Sequence, residues 1–184
     1  LIGSRFVAQS GNVQQYLSRL LGQDIKDTLT FLTVPPQSEE IVQPDERVIL
    51  KFTVNDGVID KQAEQEMLQR LNDERVKAGL KPLVWNEKAA VVARMHSKDM
   101  FARGYFSHED LEGRSPFDRM NAGVTFTAAG ENLAYAATVE LAHNGLMRSP
   151  GHRANILETD YGTVGIGVID GGIYGKMFTQ VFTN

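Results

Sequence analysis

The stretch SPGHRANIL at residues 149–157 carries more information about the fold than any other part of the chain. It begins with Ser149, a residue type that caps helix N-termini, and Pro150 follows at the helix position that tolerates proline best. His152 then falls in the first helical turn, where the helix dipole disfavours a protonated imidazole. The stretch therefore predicts a short helix over residues 150–156 with a neutral histidine, the form of the side chain that binds metal ions.

Two earlier stretches place acid-base residues in comparable settings. YFSH, at residues 105–108, puts His108 on a loop beyond a predicted helix. GENLA, at residues 130–134, puts Glu131 directly after Gly130, and we predict a glycine-flanked turn there. From the residues alone, His108 is either a ligand-facing histidine or a structural one. Glu131 is equally open: a base, a metal ligand or a brace that bonds backbone groups.

Helix caps and apolar spacing predict five helices followed by two strands. Asp60 and Asn86 are the predicted N-caps of the first two helices, and Gly79 and Gly104 are predicted to end them. The helices are expected at residues 60–79, 87–103, 115–122, 138–148 and 150–156, and the strands at 163–169 and 175–182 with a hairpin turn at 170–172. Helices first and antiparallel strands last indicate an α+β fold.

Residues 1–58 differ from the rest and are predicted to be an N-terminal extension. Apolar residues at helical spacing favour a short helix over residues 10–22. The Pro-Pro pair at residues 35–36 breaks that pattern, and the polar segment 37–47 is typical of a solvated linker. Residues 48–54 are rich in β-branched and aromatic side chains and predict a strand.

Composition limits the possible partners. The 184 residues carry a formal net charge of -4 and a sequence pI near 5.6, which argues against nucleic acid as a partner because nucleic-acid binders present a basic face. No run of about 18 apolar residues occurs, so membrane association would need a segment absent from this chain. The chain also lacks cysteine, which excludes disulfides and thiolate metal sites.

Two other histidines lie in predicted helices. His96 is expected to be a structural histidine that faces a neighbouring loop, and His143 is expected on a polar helix face without a role. The chain contains no Gly-x-Ser-x-Gly, His-Glu-x-x-His or P-loop motif. The residues themselves therefore give no support for an activated nucleophile.

Further motifs extend the pattern in both directions: LNDER at 71–75, LVWN at 83–86, ARMHSKDM at 93–100 and FTQV at 178–181. In order and spacing, these motifs resemble the CAP superfamily of cysteine-rich secretory, antigen 5 and pathogenesis-related class 1 proteins, also called the SCP domain. The resemblance implies an α-β-α sandwich at residues 59–184, with helices packed on a mostly antiparallel sheet. A cysteine-free chain is similar to the bacterial branch, which implies a secreted or membrane-tethered, extracytoplasmic protein.

The resemblance also implies a cleft, lined by His108, Glu131, His152 and Ser149. Many CAP proteins have a cleft tetrad of two histidines and two glutamates, and this chain departs from that pattern. Met177 replaces one histidine, and Ser149 falls at the position of one glutamate. The implied metal site is Zn2+ bound by His108 and His152, with Glu131 or water completing four ligands.

Three functions from different classes are compatible with the resemblance. The first, which we favour, is a binding module whose cleft holds a small molecule, a lipid, a peptide or a cell-wall fragment. The second is a metal-dependent, peptidase-like hydrolase in which Glu131 and His108 are catalytic and metal-bound water is the nucleophile. The third is a scaffold of the cell envelope with a vestigial cleft. The missing tetrad positions weaken the hydrolase hypothesis.

Overall fold

The computed structural model describes residues 6–8, 40–42, 47–121 and 123–184. The strands in this part of the chain are β1 (Phe6–Ala8), β2 (Glu40–Val42), β3 (Val48–Ile49), β4 (Val58–Ile59), β5 (Val84–Trp85), β6 (Tyr105–Phe106), β7 (Ala129–Ala136), β8 (Thr163–Asp170) and β9 (Lys176–Thr183). Its α-helices are α1 (Lys61–Lys77), α2 (Glu87–Arg103), α3 (Pro116–Met120), α4 (Val139–Arg148) and α5 (Pro150–Ile156).

The N-terminal extension can be compared with its prediction only in part. The predicted helix 10–22 and the Pro-Pro pair at 35–36 lie outside the described residues. β2 lies inside the segment 37–47 and pairs antiparallel with β1, so the prediction of a linker without secondary structure is wrong there. The predicted strand 48–54 is confined to β3.

The main sheet is built around β8 and β9, which confirm the two predicted strands within a residue at each end. Its order is β4-β8-β9-β7 with antiparallel neighbours, and β5 pairs in parallel with the opposite end of β8 from β4. The turn between β8 and β9 is longer than predicted, because a turn of 3-10 helix at Gly172–Tyr174 lies within it.

β7 is a strand that the sequence patterns do not predict. It pairs with β9 along its whole length, so the prediction of a glycine-flanked turn at Glu131 is wrong. Six of the eight β7 residues are buried, because helices cover both faces of the sheet. A strand buried on both faces lacks the alternation of polar and apolar residues that identifies a half-exposed strand.

The predicted caps position the two long helices. Asp60 accepts a hydrogen bond from the backbone N–H of Ala63 at 2.9 Å, and Asn86 accepts one from Ala89 at 3.2 Å. Gly104 ends α2 in the left-handed conformation, with φ of 67°, which costs glycine little because it has no Cβ. At the end of α1 the cap residue is Ala78, one residue before the predicted glycine.

The layers form an α-β-α sandwich, as the resemblance implied. α2 packs on one face of β8 and β9, where Gly165 and Gly167 allow its backbone to approach the sheet closely. α1 and α4 pack against the other face, over a core that includes Met67, Leu71 and Ile166. A smaller cluster around Met120 and Val181 lies between α2, α3 and the sheet.

Residues 47–58, at the end of the predicted extension, pack as part of the folded domain that follows them. β3 pairs antiparallel with β6, and the N–H of Val54 donates to the carbonyl of Phe101 at 2.9 Å. Phe52 stacks on Tyr174 with ring centroids 4.8 Å apart, and Val54 is 5% exposed. Residues 47–58 therefore share the hydrophobic core of the predicted domain.

Candidate functional site

A closed group of hydrogen-bonded side chains surrounds Glu131. Its Oε1 accepts a hydrogen bond from Nδ1 of His108 at 2.8 Å, and its Oε2 accepts one from Nη2 of Arg119 at 2.7 Å. Arg119, on α3, also donates through Nη1 to the backbone carbonyl of His108 at 2.7 Å. The carboxylate of Glu131 is 2% exposed, and the group connects β7, α3 and the segment after β6.

The electrostatics of this group keep Glu131 ionised. Burial by itself raises the pKa of Glu131. The positive charge of Arg119 and the hydrogen bond from His108 outweigh this effect and lower the pKa to about 2. A carboxylate with this pKa is a weak general base at neutral pH, because efficient bases have a pKa near the working pH. The brace predicted for Glu131 would bond backbone groups, whereas this carboxylate holds two side chains, those of His108 and Arg119.

His152 and Ser149 form a second buried pair behind β7. Nδ1 of His152 lies 2.7 Å from Oγ of Ser149, and Nδ2 of Asn132 donates to the carbonyl of His152 at 3.1 Å. Burial, with a smaller contribution from nearby His108, lowers the pKa of His152 to about 3, so the predicted neutral imidazole has burial as its main cause. Ser149 occupies the N-cap position of α5, but its side chain makes no capping hydrogen bond to the described helix.

The remaining histidines are also buried. Nε2 of His96 lies 2.9 Å from the carbonyl of Ser107, which confirms the predicted contact with a neighbouring loop. Burial lowers the pKa of His96 to about 4. His143 is 5% exposed, so its predicted position on a polar helix face is wrong. It packs inward from α4, and burial lowers its pKa as well.

An open cleft lies between α2 and residues 110–123, with a volume of about 560 Å³. Its described lining residues are Lys88, Val91, Val92, Met95, His96, Asp99, Asp110, Arg114, Asp118, Arg119 and Gly123. The four residues predicted to line a cleft, His108, Glu131, His152 and Ser149, are not among them. Arg119 joins the two regions, because it lines the cleft and binds Glu131.

The sequence analysis missed most of the cleft lining, including Arg119. One signal was available for the wall formed by α2. Val91, Val92 and Met95 recur at helical spacing, yet Val91 and Met95 are 45% and 67% exposed. Helical spacing predicts that these three side chains lie on one face of α2. Only the positions of α3 and the loop before it show that no other element covers this face in the described structure.

A sequence profile described as CAP, cysteine-rich secretory protein family, matches residues 68–182. The chain belongs to the CAP family. The crystal structure of an extracellular protein containing an SCP domain, from Bacillus anthracis str. Ames, superimposes with a TM-score of 0.62 at 34% identity, over 68% of this chain and 41% of that protein.

Two curated relatives of the chain come from Bacillus subtilis (strain 168). The uncharacterized protein YkwD is 38% identical over 121 residues, which is 65% of this chain and 46% of YkwD. The uncharacterized membrane protein YlbC is 36% identical over 182 residues, covering 92% of this chain and 49% of YlbC, and so extends into the N-terminal extension. The chain spans about half the length of these relatives. Within the described part of this CAP chain, no helix is long and apolar enough to span a membrane.

The predicted Zn2+ site does not fit the residues of this CAP domain well. Both oxygens of Glu131 are already engaged, and the guanidinium of Arg119 would repel a divalent cation placed beside them. No group of three or more His, Cys, Asp or Glu side chains among the described residues is arranged to hold a metal ion. His152 retains a buried Nε2 without a hydrogen-bond partner in the described structure, and His108 lies nearby, but two imidazoles without a third protein ligand make a weak site.

We therefore expect a calorimetric titration of this chain with Zn2+ to show no stoichiometric binding, because Glu131, the predicted third ligand, already has both oxygens engaged by His108 and Arg119. The matched comparison uses His108→Ala and His152→Ala, with His143→Ala as a control for the loss of a buried histidine elsewhere. One-to-one binding by the wild type that disappears in the first two variants alone, with melting curves retained, would show instead that the two imidazoles converge on a metal.

Proposed function

We propose that this CAP domain acts outside the cytoplasm as a binding module for a small amphipathic molecule, such as a lipid or an acyl-bearing component of the cell envelope. The observation that supports this most directly is the open cleft with an exposed apolar wall on α2. Its volume of about 560 Å³ lies in the range of clefts that hold small organic ligands.

The apolar wall favours an acyl chain or a similar group as part of the ligand. Met95 is 67% exposed and Val91 is 45% exposed, although both lie beside a concave surface. Covering such side chains is favourable by about 25 cal/mol per Å² of apolar surface removed from water. Methionine also adapts its shape to different apolar partners, as its unbranched side chain has several rotatable bonds.

The charged rim does not favour a strongly charged ligand. The cleft lining contains three acidic and three basic side chains, so its formal charges cancel. Most of these charges are already engaged with protein groups: Asp99 with Tyr105, Asp110 with Arg114, Asp118 with Ser115, and Arg119 with Glu131. An ionic ligand would have to compete with these contacts for the same charged groups.

Hydrolysis is less well supported by this site. Glu131 is buried, engaged at both oxygens and ionised down to about pH 2, so it has neither the access nor the basicity that a general base needs. His108 uses its Nδ1 to hold this carboxylate.

The extracytoplasmic location in this proposal rests on family relatives, since the matching Bacillus anthracis protein is described as extracellular.

The proposal is tested with N-phenyl-1-naphthylamine, an uncharged apolar fluorophore whose emission rises in apolar surroundings. We expect saturable binding to the wild-type chain, and at least about a tenfold loss of affinity in Met95→Lys. Burying a methionine side chain contributes about 1.5–3 kcal/mol, and about 1.4 kcal/mol corresponds to a factor of ten.

The matched control is Val76→Lys, which adds the same charge at an apolar residue of α1 that is 58% exposed and lies away from the cleft. Its affinity should equal that of the wild type. Equal affinities for both variants, or no saturable binding at all, would count against the proposal. A peptide or a cell-wall fragment as ligand, or a scaffold with a vestigial cleft, would then be the better hypotheses.

A further inference from the structure

Met95 differs from the other methionines of the chain in its exposure to solvent. It is 67% exposed on α2, whereas Met147 is partly buried and the other four methionines are 0% exposed. The four buried ones are Met67, Met100, Met120 and Met177. The chain has no cysteine, so its six thioethers are its only sulfur atoms. An oxidant in solution therefore has its most direct access to sulfur at Met95.

A peroxide is the class of oxidant that the thioether of Met95 would meet. The sulfur attacks one oxygen of hydrogen peroxide, and the O–O bond breaks as the S–O bond forms. The transferred oxygen gives up its proton, and the leaving hydroxide takes up a proton and becomes water. The sulfur is oxidised to the sulfoxide by two electrons, and the peroxide is reduced by the same two. The step requires only an accessible sulfur.

The position of Met95 couples its oxidation to the cleft. Met95 lies one helical turn after Val91 and Val92, and the three side chains form the apolar wall on α2. A sulfoxide is polar, so an apolar ligand that covers it removes it from water without offering a hydrogen bond in return. Met95 belongs to neither hydrophobic cluster of the described residues, so its oxidation leaves the core unchanged.

We propose that Met95 is an oxidation site through which a peroxide lowers the affinity of the cleft for its apolar ligand. This inference rests on the proposed binding function and adds regulation to the same site. The reduced chain binds the ligand, and the oxidised chain releases it. The modification is reversible, because methionine sulfoxide reductases return each epimer of the sulfoxide to the thioether.

The first measurement locates the oxidised residue. The chain is treated with a limiting amount of hydrogen peroxide, and peptide mass spectrometry follows the gain of one oxygen at each methionine. We expect Met95 to react at least about tenfold faster than the four buried methionines, whose sulfur is reached only when the structure opens, with Met147 in between. Equal rates at Met95 and at a buried methionine would overturn the assignment.

The second measurement compares the affinity for N-phenyl-1-naphthylamine before and after oxidation. The peroxide is removed before the fluorophore is added, so that the fluorophore itself is not oxidised. We expect the chain oxidised at Met95 to bind about tenfold more weakly, because the sulfoxide loses its contact with water on binding. The melting curve should stay the same, and treatment with the reductases and dithiothreitol should restore the affinity. Unchanged affinity after complete oxidation of Met95 would overturn this inference and leave the proposed binding function intact.

Two variants serve as matched controls. Met95→Leu keeps an apolar side chain of similar volume without sulfur, so its own affinity should be the same before and after peroxide treatment. Met147→Leu removes the partly buried thioether and should keep the peroxide sensitivity of the wild type. A loss of affinity in peroxide-treated Met95→Leu would assign the effect to another residue and contradict the proposal. No binding of the fluorophore by the untreated wild type would overturn the proposed function, and this inference with it.

Discussion

Gly167→Ala should destabilise the domain by about 3 kcal/mol or more, at the upper end of what added atoms cost in a packed core. A Cβ at this position would lie 2.2 Å from the backbone N of Arg94 and 2.3 Å from the carbonyl C of Ala93. Both obstacles are backbone atoms of α2, so no side-chain rotation can make room. The helix would have to move off the sheet, or the strand would have to bend.

Urea denaturation of the variant and the wild type measures this effect, and Gly145→Ala is the matched control. Nothing lies within 4 Å of a Cβ built on Gly145, which is inside α4. Replacing it should leave the free energy of unfolding unchanged or raise it by about 0.5–1 kcal/mol, because alanine favours the helix over glycine. A loss of less than about 1 kcal/mol in Gly167→Ala would show that the contact between α2 and β8 is softer than these distances indicate.

Arg94→Met is expected to lower the free energy of unfolding by about 3 kcal/mol, because it leaves the carboxylate of Glu64 buried without its main partner. Arg94 donates to both oxygens of Glu64 at 2.7 Å, and Glu64 is 1% exposed. Lys61, whose Nζ lies 3.8 Å from Glu64, offsets a part of the loss, although its side chain is 61% exposed.

The double variant Glu64→Met/Arg94→Met distinguishes charge burial from loss of packing. Removing both charges with apolar side chains of similar volume should return the stability to within about 1 kcal/mol of the wild type. Denaturant melts of the three variants and the wild type complete the cycle. A double variant at least as unstable as Arg94→Met would mean that the pair contributes net stability, and that the desolvation cost has been overestimated.

The local rules for helices accounted for most of the helical structure. The cap at Asn86 and the glycine at position 104 bracket α2 at the predicted residues, and Pro150 begins α5 as predicted. Ser115 and Asp118 form a reciprocal capping box at the start of α3. These signals act over three or four residues, so a single sequence contains everything that they need.

Long-range pairing escaped the sequence analysis where periodicity was absent. β7 is buried on both sides, so its sequence lacks the alternation that predicts a strand, and the glycine beside Glu131 predicts a turn instead. His143 was expected on a polar face, because helical spacing cannot tell which side α1 will cover. Arg119 was not singled out either, although it is the partner that fixes the ionisation of Glu131.

The sequence by itself determined the family, the layered α+β architecture and the positions of the helices, since motif order, caps and glycines are local properties of the chain. Only the tertiary structure decided what surrounds the polar residues of the motifs. His108 and Glu131 are predicted to line a cleft; the structure buries Glu131 in a pair with Arg119, and Arg119 in turn lines the open cleft beside α2. The physical reason is that ionisation, accessibility and hydrogen bonding depend on which distant side chains surround a group. For Glu131 that environment comes from α3 and the segment after β6, which the fold alone brings to β7.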